Sequence, residues 1–264
     1  MKKLYAYITV ILLFSLGWIS CQSNNKVNQH LRDSLMATNS SDSSILDYAL
    51  GLEKLINTYN KSESPVYKKG DYSFYTVIFE KDSLPVIYKE YGDSGNYGST
   101  TKKYYLNDGE LVLYIEKLKQ STGGDKPNYD FKETRVFYRN NVFLRADERK
   151  AESDSLLNQT PFTLVDASLI DKNQQFDFQR IEDATHTTGE YNLVFNRLDS
   201  VSSRKMKLVL NNSSAYQSIF QVTKPDSLIQ KIKASPYSYK GKKLNIKYNR
   251  EGSNMIYQSG ALAF

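Results

Sequence analysis

The 264-residue chain is poor in the side chains on which much enzyme chemistry depends, with one cysteine, Cys21, one tryptophan and two histidines, His30 and His186. A lone thiol excludes an intramolecular disulfide and any paired-cysteine metal site. With His30 in a polar stretch near the N-terminus, too few imidazoles remain for a metal cluster or a histidine-dependent triad. His186, in Ala184-Thr185-His186-Thr187-Thr188, reads as a solvated loop residue. Phosphate-loop and nucleophile-elbow patterns are missing as well. Gly92, Gly95 and Gly98 join two expected strands, not a strand to a helix, so they read as a hairpin loop. The expectation is a non-enzymatic protein with no catalytic residue, no metal and no cofactor. Long apolar stretches are also scarce. The one such run, Leu4 to Ile19, is shorter than the roughly 20 residues a spanning helix needs.

That run is nevertheless the most informative stretch. Lys2 and Lys3 precede it, and Ser20-Cys21 closes it ahead of the polar Gln22-Ser23-Asn24-Asn25, the order of a secretory signal. The arrangement resembles a bacterial lipoprotein signal, in which a small residue precedes a cysteine that is lipidated and becomes the mature N-terminus. Trp18 stands where that family usually carries leucine; Ile19 and Ser20 fit it. The resemblance implies a thioether-linked diacylglycerol and an amide-linked acyl chain on Cys21, enough for stable anchoring where one chain binds only marginally. Two other readings stay open. Cleavage at Ser15-Leu16-Gly17 would leave Cys21 a bare thiol, and an uncleaved segment would itself be the anchor. Gln22-Ser23-Asn24-Asn25-Lys26 lacks the acidic cluster of surface-exposed lipoproteins of Bacteroidetes-like bacteria, which implies an outer-membrane lipoprotein facing the periplasm.

Charge is unevenly distributed behind a net of +6. Residues 189–264 carry twelve Lys or Arg against Glu190, Asp199, Asp226 and Glu251, a balance of +8. Residues 148–188 carry four bases against eight acids, a balance of −4. A basic C-terminal region beside an acidic connector suggests either mutual packing or a cationic face toward an anionic or protein partner in the envelope, and export argues against nucleic acid. Within it, Lys240, Lys242, Lys243 and Lys247, with Tyr237, Tyr239 and Tyr248, form the candidate anionic-partner face. An edge strand kept soluble by lysine is the plainer account of the same residues. Glu80, Glu90 and Glu116 fall on expected strands and read as solvent-facing. A paired-acid hydrolase needs only the right separation in space, so it stands as a third alternative.

The chain divides into a signal (1–21), a polar tether (22–44) with a short helical tendency from Val27 to Met36, a helix plus antiparallel meander (45–147), a partly helical connector (148–188) and a small basic region (189–264). Ile45, Ala49, Leu52, Ile56 and Tyr59 recur at helical spacing, with Ser43 or Ser44 as cap. Strands are expected over 72–80, 86–91, 101–106, 110–118, 131–139 and 142–145. Asn107-Asp108-Gly109 is the strongest hairpin signal, because Asp-Gly tolerates the positive φ of a tight turn. In the return strand Leu111, Leu113 and Ile115 should face the core, while Val112, Tyr114 and Glu116 form a mixed face. The motif Tyr104-Tyr105-Leu106-Asn107-Asp108-Gly109-Glu110-Leu111 recurs loosely around Asn140-Asn141. Aromatic strand, Asn-bearing turn and aliphatic strand resemble uncharacterised lipoproteins of Bacteroidetes-like bacteria.

The connector is helix-compatible over 146–158; over 163–181 Val165, Leu169 and Ile170 point to a helix while Phe176 and Phe178 alternate as a strand would, and the segment is taken as a helical connector. Beyond it, strands over 191–198, 205–210, 216–222, 243–248 and 254–258, with a helix opened by Pro225-Asp226-Ser227, resemble a small OB or SH3-like barrel. The fold class is therefore α+β, mostly antiparallel β: a helix-covered β-meander followed by a small β-barrel-like module. Two non-enzymatic functions fit, a membrane-anchored binding or structural module and a periplasmic carrier holding a hydrophobic ligand in a half-barrel under the Ile45 helix.

Overall fold

The computed structural model describes residues 42–123, 128–166, 176–202 and 205–263. Cys21, the tether up to residue 41, His30 and residues 167–175 of the connector lie outside the described residues. Two units are distinguished, Met1–Asp47 and Tyr48–Phe264. The described part of the first is the opening of helix α1 (Asp42–Lys54), in which Ile45 is buried. α1 starts at Asp42, so Ser43 and Ser44 lie inside its first turn. It also stops earlier than the apolar spacing implies: a 3-10 turn follows over Ile56–Thr58, where the Thr58 hydroxyl bonds the Leu55 carbonyl at 2.7 Å. Threonine's local bonding competes with helix continuation.

All strands belong to one mostly antiparallel sheet. The meander runs through β1 (Asn60–Glu63), β2 (Tyr67–Lys69), β3 (Tyr72–Lys81), β4 (Leu84–Asp93), β5 (Gly98–Asn107), β6 (Glu110–Ser121), β7 (Tyr129–Arg139) and β8 (Val142–Ala151). β1 and β2 both pair with β3, and from β3 to β8 each strand pairs with the next. Tight turns set this order. Asp108 and Gly109 take φ of 50° and 80°, and Asn140 and Asn141 take 52° and 59°, the left-handed pair that matches strand twist. Asp82 and Ser83 make a third such turn, so β3 and β4 extend into a stretch that reads as a loop in the sequence. In the longer β4–β5 connection, a Cβ on Gly98 would lie 2.0 Å from the Lys119 carbonyl oxygen, so only glycine lets β5 approach β6 there.

Both faces of the meander are covered. On one, Tyr88, Tyr104, Tyr114 and Tyr138 are buried with Ile78 and Val136. On the other, Val77, Ile87, Leu113 and Phe137 are buried. Tyr114, expected on a mixed face, is therefore as much core as Leu113. The tyrosine face is closed by Phe176, Phe178 and Ile181. Phe178 stacks on Tyr88 at 5.0 Å, and Phe176 lies 5.1 Å from Tyr114 and 5.7 Å from Tyr138. Helix α3 (Phe178–His186), capped by the Asp177 carboxylate on the Arg180 amide, carries that contact onward. Its Ala184 belongs to the second core cluster, with Tyr67, Phe74, Tyr191, Phe195 and Phe220.

The connector departs from expectation. β8 continues as strand to Ala151, α2 (Asp154–Leu157) is a single turn, and β9 (Thr163–Val165) is a strand on β8. Charges that suit a solvated helix instead find partners across the β7–β8 ladder, and pairing outweighs propensity.

The C-terminal region contains β10 (Val194–Ser202), β11 (Lys205–Asn211), β12 (Gln217–Val222), α4 (Ser227–Ala234), β13 (Leu244–Glu251) and β14 (Asn254–Leu262). The expected barrel is not closed; the sheet stays open. β12 pairs parallel with β14 only through Phe220 and Gln221, and its other end pairs with β2 at Gln217 and Lys68. β10 meets the approach to β13 at one residue: the Phe195 amide bonds Lys242 O and its carbonyl accepts from the Gly241 amide, each at 2.8 Å. One residue's bonds are not a ladder, and β12 gives part of its edge to the meander, so the strands cannot complete a ring.

Candidate functional site

Charged groups occupy three settings. The first is the centre of the meander's second face. Lys89 and Lys103 stand directly opposite each other on β4 and β5. Both donate to Glu53 of α1, at 3.1 and 2.9 Å, and the Tyr105 hydroxyl donates to the same carboxylate at 2.7 Å. Like charges face to face are unfavourable, and the single carboxylate offsets them. Burial pushes the Glu53 carboxyl up, yet the bonds from Lys103, Tyr105 and Lys89 bring it below the usual glutamate value. Burial, and then the neighbouring Lys103 charge, lower the Lys89 ammonium. Further along this face Asp147, 2% exposed, takes both Arg135 nitrogens at 2.7 and 2.8 Å and one of Arg145 at 3.0 Å. Glu133 accepts from Arg149 at 2.9 Å, and the guanidiniums of Arg135 and Arg149 cover the Phe162 ring.

The second setting is the tyrosine face. Glu90, which reads as solvent-facing in the sequence, is buried; it accepts from the Tyr104 hydroxyl at 2.6 Å and pairs with Arg180 of α3. Helix α3, whose position strand alternation does not announce, turns an apparent surface acid into a buried one. Glu80 and Glu116 are half-buried, and Glu116 meets Lys102 across the strands at 3.9 Å. Glu90 and Glu116 stand on the two strands that flank Lys102. Among the described residues no three His, Cys, Asp or Glu gather as metal ligands. His186 ends α3, exposed, with Nδ1 3.0 Å from the Glu182 carbonyl.

The third setting is the C-terminal lysine face. β13 alternates as its sequence implies, with Leu244 buried, Ile246 and Tyr248 half-buried, and Asn245 and Lys247 exposed. Lys240 and Lys242 are exposed on the turn ahead of it, where Lys242 lies 5.4 Å from the Tyr239 ring centre. Lys243 differs: it is half-buried, and its ammonium donates to the Thr187 carbonyl at 3.2 Å, so it ties β13 to the end of α3. Sequence reasoning left out Lys231 and Lys233, exposed in the last turn of α4, and Lys224, exposed just before that helix.

Among the described residues none of these ammonium groups lies within 4 Å of a carboxylate. Two of the region's four acids are engaged elsewhere. Asp226 caps α4 on the Ile229 amide at 3.0 Å and also accepts from the Tyr257 hydroxyl and the Gly260 amide; burial raises its carboxyl, and these bonds bring it below the ordinary aspartate value. Asp199 is paired with Arg197. Arg250 reaches across to Glu63 at 3.1 Å and stacks 3.8 Å from the Tyr75 ring centre.

No helix among the described residues is long and apolar enough to cross a membrane. The chain matches no family model, no curated protein and no solved structure.

Proposed function

We propose that the protein is a non-enzymatic envelope lipoprotein, held at a membrane through acyl chains on Cys21 and using its C-terminal lysine face as a binding surface for an anionic partner. The observation that carries the binding part is the contrast in pairing. Lys224, Lys231, Lys233, Lys240 and Lys247 are exposed without a carboxylate partner among the described residues, whereas the lysines and arginines of the meander's second face pair with Glu53, Glu133 and Asp147. Exposed charge of one sign that the fold leaves unneutralised raises the local concentration of oppositely charged partners. The anchor rests on the order Lys2-Lys3, apolar run, Ser20-Cys21. The polar residues after Cys21 give reach between membrane and sheet.

The carrier alternative requires an open apolar sheet face. The face beneath α1 carries Lys89 and Lys103 bonded to Glu53, with the Arg135–Asp147 pair further along it, and this charged lining supports the binding-module reading over a ligand-filled half-barrel. The anchor is tested by detergent phase partitioning of Cys21→Ser. The variant is expected in the soluble envelope fraction, and unchanged membrane retention contradicts acylation at this thiol.

A further inference from the structure

Four of the exposed lysines flank one ring along the sequence. Residues 231–243 contain five lysines and no acid. At the middle of this stretch Tyr237 is 89% exposed, the largest value among the exposed large hydrophobic side chains described. It sits in a 3-10 turn, Pro236–Ser238, that follows α4 directly. The turn is held by main-chain bonds from Ser238 to Ser235 and from Tyr239 to Pro236, and its base by the bond from Gly241 to Phe195. A phenol is thus kept in water by a braced segment, with Lys231 and Lys233 before it and Lys240 and Lys242 after it. An exposed phenol set among lysines combines an apolar ring, a polar tip and cationic neighbours, a combination suited to the headgroup layer of a bilayer.

We propose that this turn is a membrane-docking tip: Tyr237 enters the headgroup layer of an anionic phospholipid bilayer while Lys231, Lys233, Lys240 and Lys242 meet lipid phosphates. This rests on the envelope reading, which supplies the bilayer, but not on the acyl chains themselves. Tyrosine suits that depth, with its ring against acyl chains and its hydroxyl in water. Lysine is a compact point charge that does not select the geometry of its anion, so four of them around a ring recognise a charged surface and not one molecular outline. A protein with such a tip meets the membrane through its C-terminal region as well as through Cys21.

The test places a reporter at the tip. In the full chain, Trp18→Phe removes the sole tryptophan and Tyr237→Trp installs a new one, with Cys21→Ser so that no acyl chain contributes. Vesicles of equimolar phosphatidylglycerol and phosphatidylcholine should shift the emission to the blue and protect the indole from iodide, while phosphatidylcholine alone should do neither. Salt at about 1 M, where the screening length is about 3 Å, should abolish the shift. Each Lys→Gln change among the four lysines should raise the half-saturating lipid concentration about fivefold.

Emission unaltered by anionic vesicles, or altered equally by neutral ones, overturns the docking tip. A shift produced by delipidated envelope protein and not by vesicles assigns the turn to a protein partner and overturns it too. Fractionation of Cys21→Ser reads the anchor separately, so failure of one idea is not mistaken for failure of the other.

Discussion

The second face of the meander and the C-terminal lysine face carry similar numbers of cations and treat them in opposite ways. On the meander, Lys89 is 6% exposed and Asp147 2%, and each sits in a multiply bonded cluster. A buried charge without a partner costs several kcal/mol, so Glu53, Glu133 and Asp147 are demanded by the fold. Around α4 and β13 the lysines keep their hydration, and nothing structural requires a counter-ion. Charge that is paired inside holds the sheet and its helix together. Charge left unpaired outside is available for recognition.

The difference can be broken most severely at Asp147. Asp147→Ala leaves Arg135 and Arg145 without their shared carboxylate in a largely buried site, and should lower unfolding stability by about 3 kcal/mol, read as a fall in the urea midpoint at neutral pH. A shift near zero would place these pairs in the same class as solvated surface ions.

A smaller loss, about 1–2 kcal/mol, is expected for Glu53→Gln, which keeps the shape but withdraws the charge shared by Lys89, Lys103 and Tyr105. Its pH dependence sharpens the assignment. The folded Glu53 carboxyl lies below its ordinary value of 4.5, so its contribution is complete above that pH and is lost as pH falls through the folded value. Unfolding free energies of wild type and Glu53→Gln should therefore converge as the buffer is taken below about pH 4.5, and a constant gap would argue against the ionised form being the stabilising one.

The smallest effect belongs to the lysine face. Lys240→Gln and Lys247→Gln should leave the urea midpoint unchanged within error, because these side chains have no bonded partner among the described residues to lose. A clear drop in stability would mean that the lysines hold the fold and are not reserved for a partner.

Much of the strand order was legible because hairpin chemistry is local. Asp108-Gly109 and Asn140-Asn141 need only residues that tolerate positive φ, and the alternating runs beside them need only a pleat. Asp226 was equally readable as the opening of α4, because a cap acts within its own turn. The lysines at 240, 242 and 247 were visible as a run, though nothing in the run separates Lys243, which bonds Thr187, from its exposed neighbours. The short β1 and β2 were missed, as was the strand character of Glu148 to Ala151, because their mostly polar residues gain a place in the ladder only from the partner strand and not from any alternation of their own. Glu90 looked solvated for the same reason: its burial depends on Arg180, ninety residues away.

Composition and local pattern were enough to specify a β-rich chain with a single thiol, tight turns at known places and a cationic C-terminal third, since each of these depends on composition or on neighbours a few positions apart. Whether a particular charge is neutralised or left to solvent depends on which distant strand or helix comes to lie over it. That answer emerged when α1 brought Glu53 to Lys89 and Lys103, when α3 brought Arg180 to Glu90, and when β12 gave part of its edge to β2 and so left the sheet open instead of closed into a barrel.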